Sequence, residues 1–313
     1  MKNPWTIFPH LAVRCGFFEW MNDEIYLKAL FRARMGYRLN LKNPKTFSEK
    51  LQWLKLYDRN PEYTKMVDKY EVKKYVADRI GRQYIIPTLG VWERFEDIDF
   101  EGLPDKFVLK CTHDSGGLVI VRDKEKFDKD KAKRKINKSL QRNYYLYARE
   151  WPYKNVHPRI IAESYMEDDK TQELHDYKFI SELCYRHTNS LMDYKFFCFN
   201  GNPQFLYISK GLEEHSTAKM QFMDLDWKKT PFQRTDFKQF DEIPPKPILF
   251  DDMKRIAECL ASSIPFVRVD MYVIKGQIYF SELTFSPCSG FIKFHENRHD
   301  FNIGDLLELN NCK

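Results

Sequence analysis

The stretch Val267-Arg-Val-Asp270-Met-Tyr-Val-Ile274-Lys-Gly276-Gln-Ile-Tyr-Phe-Ser-Glu282-Leu283 reads as a β-hairpin. Val267 to Ile274 is β-branched and alternating, Lys275-Gly276 supplies a turn, and Gln277 to Leu283 alternates again. Asp270 and Glu282 are therefore expected on neighbouring strands. Arg268 stands two residues before Asp270, on the same strand face, so one cation and two carboxylates converge. Such a grouping suits a magnesium–nucleotide site, because magnesium takes hard oxygen ligands and is usually held by one or two carboxylates plus substrate phosphates. The planar fork of Arg268 would offset charge on a reacting phosphate or acyl oxygen. The plainer alternative is an exposed cross-strand salt bridge, worth about 0–1 kcal/mol.

Working outward, Phe107-Val-Leu-Lys110 is a short apolar strand, and Cys111-Thr-His-Asp114-Ser115-Gly116-Gly117 is a small polar turn into a second strand, Leu118-Val-Ile-Val121. Backbone N–H groups at Ser115, Gly116 and Gly117 would line a phosphate with no Cβ in the way at the glycines, and Lys110 would stand beside them as a point charge. An ordinary hairpin turn has the same composition. Next, Arg159-Ile-Ile-Ala-Glu163-Ser-Tyr165-Met166-Glu167-Asp168-Asp169 is an apolar strand ending in acids, able to offer backbone groups to an adenine edge and Glu167 or Asp168 to ribose hydroxyls. Asp193-Tyr-Lys195-Phe-Phe-Cys-Phe-Asn200-Gly201 follows, with Asn200-Gly201 a hairpin signal. Lys195, on an otherwise apolar strand, needs an anion.

These residues resemble the ATP-grasp enzymes, and within them the TupA-like (teichuronopeptide biosynthesis) group. The resemblance extends from Met35-Gly36-Tyr-Arg-Leu39-Asn40-Leu41-Lys42-Asn43-Pro44-Lys45-Thr46-Phe47-Ser48-Glu49 to Phe285-Ser-Pro287-Cys-Ser289-Gly290. Lys65-Met-Val-Asp68-Lys69-Tyr70, Asp193 to Gly201 and Val267 to Asp270 lie between, in the family's order. It implies an α+β fold with two lobes and an ATP cleft between them, preceded by a mainly helical N-terminal region. It also implies Lys110 and Lys195 toward the phosphates or adenine, Ser115 to Gly117 as a phosphate flap, and Glu163, Tyr165 and Met166 at the adenine hinge. Asp270, Glu282 and Thr284 would be the magnesium ligands, and Arg268 would stabilise the transferring phosphoryl or tetrahedral intermediate. Three departures stand out: Asp114 where glycine is expected, setting an acid near phosphate; Thr284 where asparagine is usual; and Asp176-Tyr-Lys178-Phe, which nearly repeats Asp193-Tyr-Lys195-Phe and reads as an insertion.

The chemistry implied is carboxylate activation by ATP followed by attack of an amine, with the protein supplying position and charge. In keeping with this, the chain has neither a Gly-x-Ser-x-Gly elbow nor a Walker-type loop. Its seven cysteines are scattered, with no Cys-x-x-Cys pair, and read as reduced thiols. At 313 residues and 16% aromatic content the chain has material for one large or two moderate cores. No apolar run approaches a membrane span and the first residues do not read as a secretory signal, so the expectation is cytoplasmic, with peripheral contact at the inner membrane face as an option. Leu11 to Phe31 reads as amphipathic helix docked on the core.

The basic surplus is local: from Arg122 to Arg159 there are thirteen Lys or Arg against five Asp or Glu, more than the whole chain's net +6. Such a run is commonly a solvated helix face; it also suits an anionic saccharide, free or lipid-linked, or an acidic bilayer. No nucleic-acid motif accompanies it. The expected layout is a mainly helical region at 1–100, a small flap-bearing subdomain at 101–162 and a large lobe with the metal hairpin at 163–313. The favoured activity is an ATP-dependent ligase joining an amino acid or other amine to a uronic-acid sugar of a bacterial capsule, O-antigen or other surface polysaccharide. The rivals are a metal-dependent glycosyltransferase using Asp224-Leu-Asp226, and a catalytically silent ATP-binding module.

Overall fold

Two antiparallel sheets organise the computed structural model, which describes residues 20–167, 191–211 and 218–309. Four helices come first: α1 (Asp23–Met35), α2 (Phe47–Tyr57), α3 (Glu62–Val67) and α4 (Val72–Ile80). Helix α1 buries Tyr26, Leu27, Leu30 and Phe31; of the amphipathic stretch expected from Leu11, residues 11–19 lie outside the described residues. Helix α2 begins with a capping box: the Thr46 hydroxyl accepts from the Glu49 N–H, and the Glu49 carboxylate accepts from the Thr46 N–H.

The smaller sheet has the order β1-β4-β2-β3, with β1 Thr88–Trp92, β2 Phe107–Cys111, β3 Leu118–Val121 and β4 Ile160–Ser164. It therefore draws one strand from the N-terminal region. Helix α5 (Lys129–Leu140) covers one face, laying Ala132 and Ile136 on Phe107, Leu109 and Ile160. A short helix, α6 (Tyr145–Ala148), follows it.

The larger sheet runs β7-β6-β5-β8-β9: β5 Met192–Phe199, β6 Asn202–Lys210, β7 Lys219–Asp224, β8 Phe266–Ile274 and β9 Gln277–Thr284. Both faces are covered. Helix α7 (Phe250–Ala261) and α4 pack on Phe196, Leu206, Ile208, Val267 and Val269, while α2 and α8 (Arg298–Asp305) pack on an aromatic cluster of Phe197, Phe199, Phe205, Phe222 and Phe266. Phe47 of α2 sits 5.0 Å, centroid to centroid, from Phe266. Burial on both faces explains why β5 reads as a nearly continuous aromatic run. The turns at Asn200-Gly201 and Lys275-Gly276 place all four residues at positive φ, as two-residue hairpins demand.

Candidate active site

The polar centre sits on the aromatic face of the larger sheet. Lys195 lies opposite Asp270 across β5 and β8, and Asp270 lies opposite Glu282 across β8 and β9. A regular two-residue hairpin would pair Asp270 with Ser281. A β-bulge between Asp270 and Met271 takes up one extra residue of β9 and moves Glu282 into register on the polar face.

Asp270 is fully buried and paired twice. Its Oδ1 accepts from Arg268 Nε at 2.7 Å, and its Oδ2 accepts from Arg268 Nη2 at 2.6 Å and Lys195 Nζ at 2.7 Å. The same Nη2 donates to Glu282 Oε1 at 3.1 Å and to the Thr284 hydroxyl at 3.0 Å. Lys195 also faces Asp193 at 3.2 Å. Burial works against the charge on Lys195, but Asp193 and Asp270 outweigh it and hold its pKa well above the usual lysine value. Burial likewise opposes ionisation of Glu282, yet Lys195, Arg268 and Lys69 hold its carboxyl at about 2. With 40% of its side chain exposed, Glu282 is the carboxylate of this group that faces outward.

Outward from Glu282 is an open recess lined by Lys69, Lys73, Lys110, Glu163, Phe280 and Glu282 among others. The two sheets meet across it. Glu163 on β4 is buried between two cations, with Lys73 Nζ and Lys110 Nζ each at 2.5 Å. Burial opposes its charge, and Lys110 and Lys73 prevail, keeping the Glu163 carboxyl below the ordinary range. The carboxylate thus points into the recess between lysines. Tyr165 and Met166 follow β4 and are half-buried; the Tyr165 hydroxyl accepts from Arg122 Nε at 3.1 Å. Glu167 pairs with Lys106, while Asp168 and the Asp176-Tyr-Lys178-Phe copy lie outside the described residues.

The turn from Thr112 to Gly117 uses Asp114 differently from the sequence expectation. Its side chain is buried, accepting from Gly117 N–H at 3.0 Å and from the Ser139 hydroxyl, so it braces the turn from within the small lobe. The Gly117 N–H is consequently committed to Asp114. A Cβ on Gly117 would meet Cys111 Sγ at 2.5 Å and Ser139 Oγ at 2.7 Å, whereas one on Gly116 would find nothing nearer than 3.6 Å. Gly117 is thus required by packing. Ser115 Oγ donates to the Tyr144 hydroxyl at 3.3 Å, and Lys69 Nζ donates to the Asp114 carbonyl.

Just past Thr284, Cys288 and Ser289 both take left-handed backbone conformations, φ 53° each. Such strain persists only where the surroundings over-determine it. Here buried Lys55 donates to the Ser289 carbonyl at 2.6 Å, Gln52 Nε2 donates to the Gly290 carbonyl at 2.8 Å, and Ser289 Oγ donates to the buried Glu150 carboxylate at 2.7 Å. Burial lowers Lys55 to about 8 despite Glu150 nearby.

Sequence reasoning assigned no role to Lys69 and Lys73. Both line the recess, Lys69 from the turn before α4 and Lys73 from its first turn. In the other direction, Asp224 of the Asp-x-Asp triplet sits at the end of β7, the sheet edge farthest from β9, and its Oδ1 accepts from the Asp226 and Lys228 N–H groups at 3.0 and 2.8 Å.

Of the expected ligands Asp270, Glu282 and Thr284, Glu282 opens on the recess, whereas both Asp270 oxygens are taken up by Arg268 and Lys195. Among the described residues no group of three or more His, Cys, Asp or Glu is placed to hold a metal unaided, so phosphates would have to complete the shell. Cys111, Cys198, Cys259 and Cys288 are free thiols, and no described helix is long and apolar enough to cross a membrane.

A family model described as TupA-like ATPgrasp matches residues 49–186 and 180–308. No curated protein matches. Among solved structures, D-alanine–D-alanine ligase from Bacillus anthracis complexed with ATP is 16% identical over 70% of this chain, with a TM-score of 0.38, and the chain spans only 55% of that ligase. The corresponding Helicobacter pylori ligase is 14% identical over 83% of this chain and 69% of its own, TM-score 0.43. The ATP-grasp ligase PsnB, complexed with minimal precursor, Mg and ADP, is 9% identical over 97% of this chain and 75% of its own, TM-score 0.41.

Proposed function

Because the chain belongs to the TupA-like ATP-grasp family, we propose that it is an ATP-dependent carboxylate–amine ligase. The observation that carries the proposal is the polar centre itself: Arg268, Asp270, Glu282 and Thr284 in cross-strand register, opening through Glu282 onto a recess rimmed by Lys69, Lys73 and Lys110. ATP would supply the γ-phosphoryl group, and magnesium held at Glu282, Asp270 and Thr284 would offset its charge. The lysines on the recess would take the remaining phosphate charge, while Lys195, held by Asp193 and Asp270, would keep the Asp270 carboxylate in place. Arg268, fixed by two bonds to Asp270, would stabilise negative charge on the reacting oxygens. A carboxylate oxygen takes the phosphoryl group and ADP leaves; a neutral amine then attacks the acyl carbon, the C–O bond breaks, and phosphate leaves carrying the amine proton. Orientation and electrostatics suffice for both steps.

The acceptor we favour is a uronic-acid sugar of a bacterial surface polysaccharide, free or lipid-linked, and the donor an amino acid or other amine. The family membership and the basic stretch from Arg122 to Arg159 support that choice. A glycosyltransferase reading would require Asp224 and Asp226, and the Asp224 carboxylate is already engaged by its own turn. Thermal-shift measurement decides between them. Mg-ATP is expected to raise Tm, by the equivalent of about 2.7 kcal/mol at a hundredfold excess over Kd. A shift with Mg-bound UDP- or GDP-sugars and none with adenine nucleotides would overturn the proposal. Glu282→Ala is expected to fold and to lose ADP release by about 100-fold or more; undiminished release would remove Glu282 from the metal site.

A further inference from the structure

Helix α5 carries a row of cations that leads to the flap. Ala132, Ile136 and Ser139 form its buried stripe, and one position earlier Lys131, Lys135 and Lys138 form an exposed stripe at i, i+4 and i+7. Arg134 lies beside them. Among the described residues none of these four side chains has a carboxylate partner, although Lys133 pairs with Glu96 and Asp130 is exposed in the first turn. Like charges at this spacing repel and weaken the helix that carries them. Past the end of the helix, Arg142 Nη1 stands beside Gly116, within 3.7 Å of where a Cβ would be, and the Tyr144 hydroxyl accepts from Ser115. The helix is wired to the turn as well: the Ser139 hydroxyl donates to Asp114, and Ser139 O lies 3.1 Å from His113 Nε2.

We propose that the exposed Lys131–Lys135–Lys138 face of α5 is a docking surface for a carboxylate-bearing polysaccharide, whose end passes Arg142 and Tyr144 to reach the recess. The inference rests on the ligase reading above and adds to it where the rest of the acceptor chain lies. Charge complementarity identifies the partner as a polyanion. The row is narrow, spans about 10 Å of helix from Lys131 to Lys138, and points at the flap, as the track of an extended chain should. Its exposed positions hold no large apolar side chain that would enter a bilayer.

The test is fluorescence anisotropy of the full chain with fluorescein-labelled oligogalacturonate, its methyl-esterified form, and phosphatidylcholine vesicles with and without phosphatidylglycerol. The wild type is expected to bind the acidic oligomer and not the ester. Lys131→Glu, Lys135→Glu and Lys138→Glu together are expected to weaken binding by about tenfold or more, while Lys228→Glu, Lys229→Glu and Lys246→Glu, which place the same charge elsewhere, leave it unchanged. Both triple variants should keep the Mg-ATP thermal shift, which establishes that they fold. Absence of oligomer binding, equal binding by the α5 variant, or preference for phosphatidylglycerol vesicles overturns the surface. A protein that binds the oligomer but shows no Mg-ATP shift overturns the ligase reading instead and leaves the surface standing.

Discussion

Asp270 and Glu282 stand side by side in register, yet their energetic positions differ. Asp270 is fully buried between Arg268 and Lys195, so Asp270→Ala would strand two buried cations and cost about 3–5 kcal/mol of stability. Asp270→Asn, which keeps the shape and removes the charge, is therefore the informative variant. Glu282, partly exposed, is expected to cost about 1 kcal/mol or less when truncated. Urea unfolding of Asp270→Ala, Asp270→Asn and Glu282→Ala measures the contrast, and equal losses for the two alanine variants would contradict it. Asp300 offers a pH test away from the site. It accepts from the Ser48 N–H and hydroxyl at 3.0 and 3.1 Å, and burial raises its carboxyl to about 6. A raised carboxyl pKa favours folding fully only below the unfolded value, and that contribution is lost as pH rises from about 4 through about 6. Asp300→Asn is thus expected to be more stable than wild type at pH 7 by up to about 3 kcal/mol, with the advantage vanishing near pH 4; a constant difference across that range would refute the assignment. At this scale the sequence was readable where charge sat on an apolar strand, as for Lys195, and unreadable for Asp114, whose side chain turns inward to brace a turn.

Among the elements, the glycine turn and the hairpin bulge decide the most. Gly117→Ala is expected to cost about 1–3 kcal/mol, because its methyl would overlap Cys111 and Ser139, whereas Gly116→Ala has room and should leave Tm unchanged. Differential scanning calorimetry of the pair tests this, with similar melting temperatures as the failing outcome. Hairpins, strands and the capped helix α2 were legible because their signals are local: alternation, Asn-Gly and Lys-Gly turns, and Thr46 with Glu49. The bulge at Asp270 was not, since nothing local in Ser281-Glu282 announces an extra residue. Yet without it Glu282 would fall opposite Val269, whose side chain belongs to the other, apolar face.

For the molecule as a whole, Glu163 joins the two sheets. Its partner Lys73 belongs to α4, whose Val72 and Val76 lie in the core of the larger sheet, while Glu163 belongs to the smaller one. Glu163→Gln should therefore lower stability by about 1–3 kcal/mol and speed amide exchange in β4 and α4 together; faster exchange in β4 alone would mean the two sheets are not tied there. Local signals marked the hairpins, the capped helix α2 and the strand face carrying Arg268, Asp270 and Glu282, because backbone propensity and side-chain alternation act over a few residues. Beyond that hairpin, packing set which charges meet. Lys69 and Lys73 reach the recess, Glu163 sits between Lys73 and Lys110, and α2 closes the aromatic face, because contacts between distant segments depend on packing and register, which no local pattern encodes.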